Sequence, residues 1–160
     1  MTEPTVIHST FVIERNYPVP PERVFAAFAD PASKRRWFVD GGRHTVEHYE
    51  MNFSVGGQER ACIRLGKDTP LEGVACTNDT RYLDIQPGRR LVFVATMSLE
   101  AKCISAALGT VELLPSETGT QLIFTHQAAF FEGADGPAMR EAGWGKLLDS
   151  LAGELTPTHG

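Results

Sequence analysis

From Gly143 to Leu155 the chain reads GWGKLLDSLAGEL, and Trp144, Leu147, Leu148, Leu151 and Leu155 fall at i, i+3, i+4, i+7 and i+11. That spacing predicts a helix of about three turns with one continuous apolar stripe. Asp149 and Glu154 lie off the stripe, so one side is to be buried and the other wetted. Gly143 and Gly145 weaken the helix near its start. They are expected to allow close approach to a strand, the alternative being a mobile first turn. A stripe of large side chains needs a large apolar partner, and the partner must come from the preceding 140 or so residues.

Most of that stretch reads as strand. Ser9 to Tyr17, STFVIERNY, is rich in β-branched and aromatic residues and stops at PVPP, which no strand interior tolerates. The prolines then open helices. PERVFAAFAD places Val24, Phe25 and Phe28 on one face, and PASKRRWF after Asp30 brings Trp37 and Phe38 inward. After a polar loop with Gly41 and Gly42, TVEHYEMNFSV alternates, with Tyr49, Met51 and Phe53 on one side. Gly56-Gly57 marks a hairpin turn into QERACIRL. GVACTNDTRYLDI, RLVFVATMS, ISAALGTVELL and TQLIFTHQAAFF follow, separated by QPGRR and ETGT turns, and GADGP leads into the last helix. Seven strands in hairpin order predict an antiparallel meander, and only the terminal helix is long enough to cover its apolar face. The expected class is α+β: a curved seven-stranded antiparallel sheet wrapped around a long C-terminal helix, with two short helices between strands 1 and 2.

At 160 residues, 42% of them hydrophobic, one domain over 1–160 is expected. A net charge of −5 offers no general attraction for nucleic acid or anionic lipid, and KRR at Lys34 to Arg36 reads as a solvated helix face. No apolar run approaches the ~20 residues of a membrane helix, and the polar N-terminus is unlike a signal peptide. Cys62, Cys76 and Cys103 lack metal-type spacing and read as small apolar fillers in a reduced, cytoplasmic protein.

NYPVPPERVFAAFADPASKRRWF, YEMNFSVGGQE, TRYLDIQPGRRLVF, LGTVELLPSETGTQLIFTHQAAF and GWGKLLDSLAGEL, in that order from about Phe11 to Leu155, resemble the SRPBCC or START-like superfamily. The branch they resemble is that of activators of the heat-shock protein 90 ATPase. The resemblance implies the helix-grip fold and an internal cavity between sheet and helix. It implies less about activity, because such relatives include lipid and steroid carriers, polyketide cyclase-like enzymes, hormone receptors and chaperone activators. A lone domain is expected, without the additional N-terminal domain of eukaryotic chaperone activators. Similar members often carry an acidic residue where His126 stands here.

Alternation places Leu122, Phe124 and His126 on the concave face, where a histidine can act as general base or anchor a ligand by one hydrogen bond. A satisfied core histidine is the plainer alternative. His126 is the weak catalytic candidate. Tyr49, Tyr82 and Trp144 carry polar handles suited to orienting a ligand, and Trp37 and Phe38 are expected at the cavity mouth. With Met51, Phe53, Phe124, His126 and Leu148 they make up the expected ligand pocket. Ser105, Ala107 and Gly109 share one face and supply little volume, which predicts a void of ~300 Å³ or more. No metal or cofactor is expected: His44 and His48 are four apart on a strand, about 13 Å, and His8 and His159 lie near the termini. No nucleophile elbow or phosphate loop is present. The favoured reading is binding of a small hydrophobic or aromatic molecule. The alternatives are a cyclase- or hydratase-like enzyme and a chaperone-activator-like interaction module, and a homodimer through open sheet edges is a further expectation.

Overall fold

A computed structural model describes residues 3–40, 44–67 and 69–156. Gly41, Gly42 and His159 lie outside the described residues. β1 (Ile7–Tyr17) is followed by α1 (Pro21–Ala29) and α2 (Pro31–Phe38), then by β2 (Thr45–Met51), β3 (Gln58–Arg64), β4 (Ala75–Gln86), β5 (Arg90–Leu99), β6 (Lys102–Ser116), β7 (Gly119–Phe130) and α3 (Pro137–Leu155). The strands form one antiparallel sheet in the order β1-β7-β6-β5-β4-β3-β2. Only β1 leaves sequence order, joining β7 so that the two short helices span from one edge strand to the other. This is the expected helix-grip arrangement.

Local chemistry explains the boundaries. Pro21 and Pro31 occupy the first turns of α1 and α2, where a missing N–H costs nothing. Asp30 ends one helix and caps the next, its carboxylate accepting from Ser33 N at 3.3 Å. β2 stops at Met51, earlier than the alternation alone suggested, because the turn before β3 begins at Asn52. There the Asn52 N–H donates to Gln58 O, and a Cβ on Gly57 would stand 2.1 Å from the Asn52 carbonyl oxygen. Bulges in β2, β4 and β6 break the register and sharpen the curl of the sheet.

The concave face carries Phe11, Ile13, Phe93, Val111, Leu113, Leu122 and Phe124, and Leu148, Leu151 and Leu155 of α3 press into it. The C-terminal half of α3 is also fixed by polar contacts. Tyr17 donates its hydroxyl to Leu148 O at 2.8 Å, and Glu154 accepts from Arg36 at 2.6 Å and Ser33 at 3.0 Å. The Arg36 hydrogen bonds hold the Glu154 carboxyl below its usual range. In the first half only Arg140 is buried, and its side chain is the polar tie between that half and the sheet, through Ser105 Oγ at 2.9 Å.

Two local expectations need correction. A Cβ on Gly143 meets nothing within 4 Å, and one on Gly145 meets only the end of Arg15, so neither glycine is there for a close strand contact. Cys103 is exposed and is no core filler, whereas Cys76 is buried and its thiol is pushed up to about 11 by desolvation. Among the described residues, no helix is long and apolar enough to cross a membrane.

Candidate functional site: a cleft with two compensated charge pairs

At one end of the space under α3 lies Glu59. In β3 it shares a face with Ala61, and cross-strand pairing sets it between Met51 of β2 and Thr80 of β4. Its side chain is 2% exposed, a position an isolated carboxylate cannot hold without donors. Three donors converge on it. The Lys34 ammonium reaches Oε1 at 3.0 Å, the Tyr49 hydroxyl reaches Oε2 at 2.7 Å, and the Tyr82 hydroxyl donates to Oε1. Burial, then the neighbouring carboxylate charge, holds both phenols well above their ordinary value, so they remain donors. Lys34 arrives from α2, three residues before Trp37, and its ammonium stands 4.4 Å from the centroid of the Phe38 ring. The solvated-face reading of KRR therefore holds for Arg35 and Arg36 but fails for Lys34, which is 5% exposed.

At the other end Arg140, in the first turn of α3, is 7% exposed. Its Nε and Nη2 donate to the two carboxylate oxygens of Asp135 at 2.8 and 2.7 Å, and Nη2 also reaches Ser105 Oγ at 2.9 Å. This two-point geometry is the strong form of an arginine–carboxylate pair. The guanidinium lies 5.0 Å from the centroid of Phe130.

His126 sits nearby on β7, between Gly109 of β6 and Phe11 of β1. Its ring stacks on Phe11 at 4.5 Å and meets Phe124 edge-on at 6.0 Å. Nδ1 is buried and has no hydrogen-bond partner. Desolvation first, then the Arg140 charge, pushes its pKa down to about 4, so the ring is neutral near pH 7. A general base needs a partner to orient it and a pKa near the working pH, and this ring has neither.

Between the two ends runs a cleft of about 80 Å³. Lys34, Phe38, Glu59, Thr80, Tyr82, Phe93, His126, Arg140 and Trp144 are among the residues that line it. The void of ~300 Å³ is not present. Ser105, Ala107 and Gly109 do face inward, but the Phe93 ring lies over Gly109, so close that a Cβ there would be 2.3 Å from Phe93 Cζ. Trp144 fills more, its ring centroid 4.4 Å from that of Phe124 and 5.7 Å from that of Phe38. A larger and more open depression, about 450 Å³, lies on the outer face of the sheet around Arg81, Val94 and Leu108.

Of the ten residues expected in a pocket, Phe38, Tyr82, His126 and Trp144 line the cleft. Phe124 backs the Trp144 and His126 rings. Tyr49 and Met51 stand beside Glu59: the Tyr49 hydroxyl donates to it, and the Tyr49 and Tyr82 hydroxyls both lie against Met51 Sδ. Phe53 packs edge-on against Phe25 and Tyr82, and Leu148 is core at 1% exposure. Trp37 is not at the mouth: it is 2% exposed, with its indole N–H given to Ala27 O at 2.8 Å and its ring against Phe28 and Phe38.

Glu59, Lys34 and Arg140 are what the sequence reading passed over, and each had a signal. Glu59 is in phase with Ala61 on the apolar side of β3, Lys34 precedes Trp37 by three on a helix, and Arg140 precedes Trp144 by four on the α3 stripe. Among the described residues, no group of three or more His, Cys, Asp or Glu is placed to hold a metal ion.

Comparison with known proteins bears on the whole chain. No curated protein matches it significantly. Among solved structures, an uncharacterised protein from Rhizobium leguminosarum is 34% identical with a TM-score of 0.86, over 94% of this chain and 95% of that one. A protein from Rhizobium loti is 46% identical with a TM-score of 0.83, over 93% and 98%. An AHSA1-like protein from Aeromonas hydrophila, at 18% identity and a TM-score of 0.67 over 95% and 99%, shares the fold. The sequence profile of the family described as activator of Hsp90 ATPase homolog 1-like protein matches residues 18–156. With nearly its full length so matched, the chain belongs to the activator of Hsp90 ATPase homolog 1-like family.

Proposed function

We propose that the chain is a small-molecule-binding domain whose site is the cleft between the concave sheet and the first half of α3. The polar lining carries this reading. Lys34, Glu59 and His126 are at most 5% exposed, yet all three border unfilled space. A core built for stability alone gains more from aliphatic side chains of the same volume, because buried ion pairs repay their desolvation poorly. An aromatic-walled space with a few convergent polar groups is the usual form of a ligand site. The first half of α3 supplies the route in, since Arg140 is its only buried residue and Trp144 is only half-buried there.

The test is a heteronuclear NMR screen of one- and two-ring aromatic compounds against the wild type and Ala107→Phe, which fills the slot from the sheet side. Binding that perturbs Thr80, His126 and Trp144 together, and is lost in the filled variant, is the expected result. Shifts confined to the outer surface, or equal binding by both proteins, would overturn the reading.

A further inference from the structure

We infer that the cleft selects an uncharged aromatic molecule of about one ring that carries a hydrogen-bonding group, and rejects anions and cations of the same shape. This deepens the small-molecule reading above and rests on it. Both cations that border the cleft are already neutralised by carboxylates of this chain. Lys34 is held by Glu59 at 3.0 Å, and Arg140 is held by both oxygens of Asp135 at 2.7 and 2.8 Å. Glu59 in turn has three donors, one of them the Lys34 ammonium, so its charge is already compensated without a ligand. A ligand carboxylate would add a negative charge to a site whose charges already balance, and would compete with Asp135 for Arg140 or with Glu59 for Lys34. A ligand cation meets the mirror-image cost at Glu59. Either exchange forfeits the compensation that makes a buried charge tolerable.

The remaining polar groups of the lining are uncharged and take no part in these pairs. Asn78 and Thr80 present amide and hydroxyl groups, and His126 presents an imidazole whose Nδ1 has no partner. Depression of the imidazole pKa to about 4 by burial and by Arg140 keeps that ring neutral, so it adds no counter-charge for an anion. Phe38, Phe93 and Trp144 supply flat apolar walls, which suit an aromatic face. A volume of about 80 Å³ is far below the ~300–1,000 Å³ of sites for drug-sized ligands. It exceeds the ~15 Å³ that one water needs and is about half the ~150 Å³ cavity known to take benzene. One ring is the upper limit of size, and it enters only if Trp144 moves aside to widen the cleft.

Benzamide, benzoate and benzamidinium share a shape and differ in charge, and toluene removes the polar group. Each is titrated into the isotope-labelled wild type at pH 7, with the resonances of Thr80, His126 and Trp144 as readout. Benzamide is expected to bind about tenfold or more tightly than either ion, and tighter than toluene. Asp135→Asn frees Arg140 from its counter-charge and is expected to raise benzoate affinity about tenfold or more with little change for benzamide. Benzoate or benzamidinium matching benzamide in the wild type would overturn the inference while leaving the cleft as a site. So would an Asp135→Asn protein that gains nothing for benzoate, and toluene matching benzamide would overturn the hydrogen-bonding requirement. Failure of all four compounds to perturb the cleft would instead overturn the small-molecule reading beneath it. The wild-type comparison decides the matter even if the variant does not fold.

Discussion

Replacing His126 by glutamine removes one titrating group from the core, and the consequence can be worked from its surroundings. In the fold the imidazole is 2% exposed, stacked on Phe11 and within the field of Arg140, with Asp135 behind Arg140 acting weakly the other way. Its pKa falls from 6.5 to about 4. The unfolded chain therefore takes up this proton more readily than the folded one at every pH between those values. The stability His126 leaves intact is fully present above pH ~6.5 and is lost as pH falls toward ~4. Each pKa unit is worth ~1.4 kcal/mol, so the complete loss is about 3 kcal/mol, and linkage places about 2 kcal/mol of it between pH 7 and pH 5.

Carboxylates also titrate there, but they are common to both proteins and cancel in the comparison. Urea titrations followed by tryptophan fluorescence at pH 7 and pH 5 give the four free energies needed. The wild type should lose about 2 kcal/mol more than His126→Gln over that interval. Equal losses, agreeing within about 0.5 kcal/mol, would show that the ring is charged or solvated in the fold. That outcome would also remove the argument that it is a neutral wall of the cleft.

Leu148→Ala should cost ~2–5 kcal/mol in denaturant titration, because Leu148 is 1% exposed between α3 and the sheet. Glu59→Gln should cost ~3–5 kcal/mol by leaving Lys34 buried without its counter-charge, and the Lys34→Met/Glu59→Gln pair should cost clearly less than the sum of the single changes. Gly109→Ala should cost ~1–3 kcal/mol, since the added methyl drives the Phe93 ring toward the cleft. In the native protein at pH 8, a thiol reagent should modify exposed Cys103 quickly and buried Cys76 only after denaturation, as thiol counting over time will show.

Periodicity alone determined the α3 stripe, the hairpin order of seven strands and the paired helices opened by Pro21 and Pro31, because each depends on neighbours within a few residues. Alternation also put Phe124, His126 and the small residues of β6 on the concave side, as the register bears out. How much space would remain there was decided elsewhere. Only the tertiary structure brings Phe93 over Gly109 and Trp144 against Phe124, and those two rings reduce the void to a cleft of about 80 Å³. The same holds for the charges. Lys34 and Glu59 are 25 residues apart, and Arg140 meets Ser105 across 35. A lysine among arginines and a glutamate in a polar strand read as surface until the fold brings their partners within reach, because the energy that permits a buried charge belongs to the pair and not to either residue.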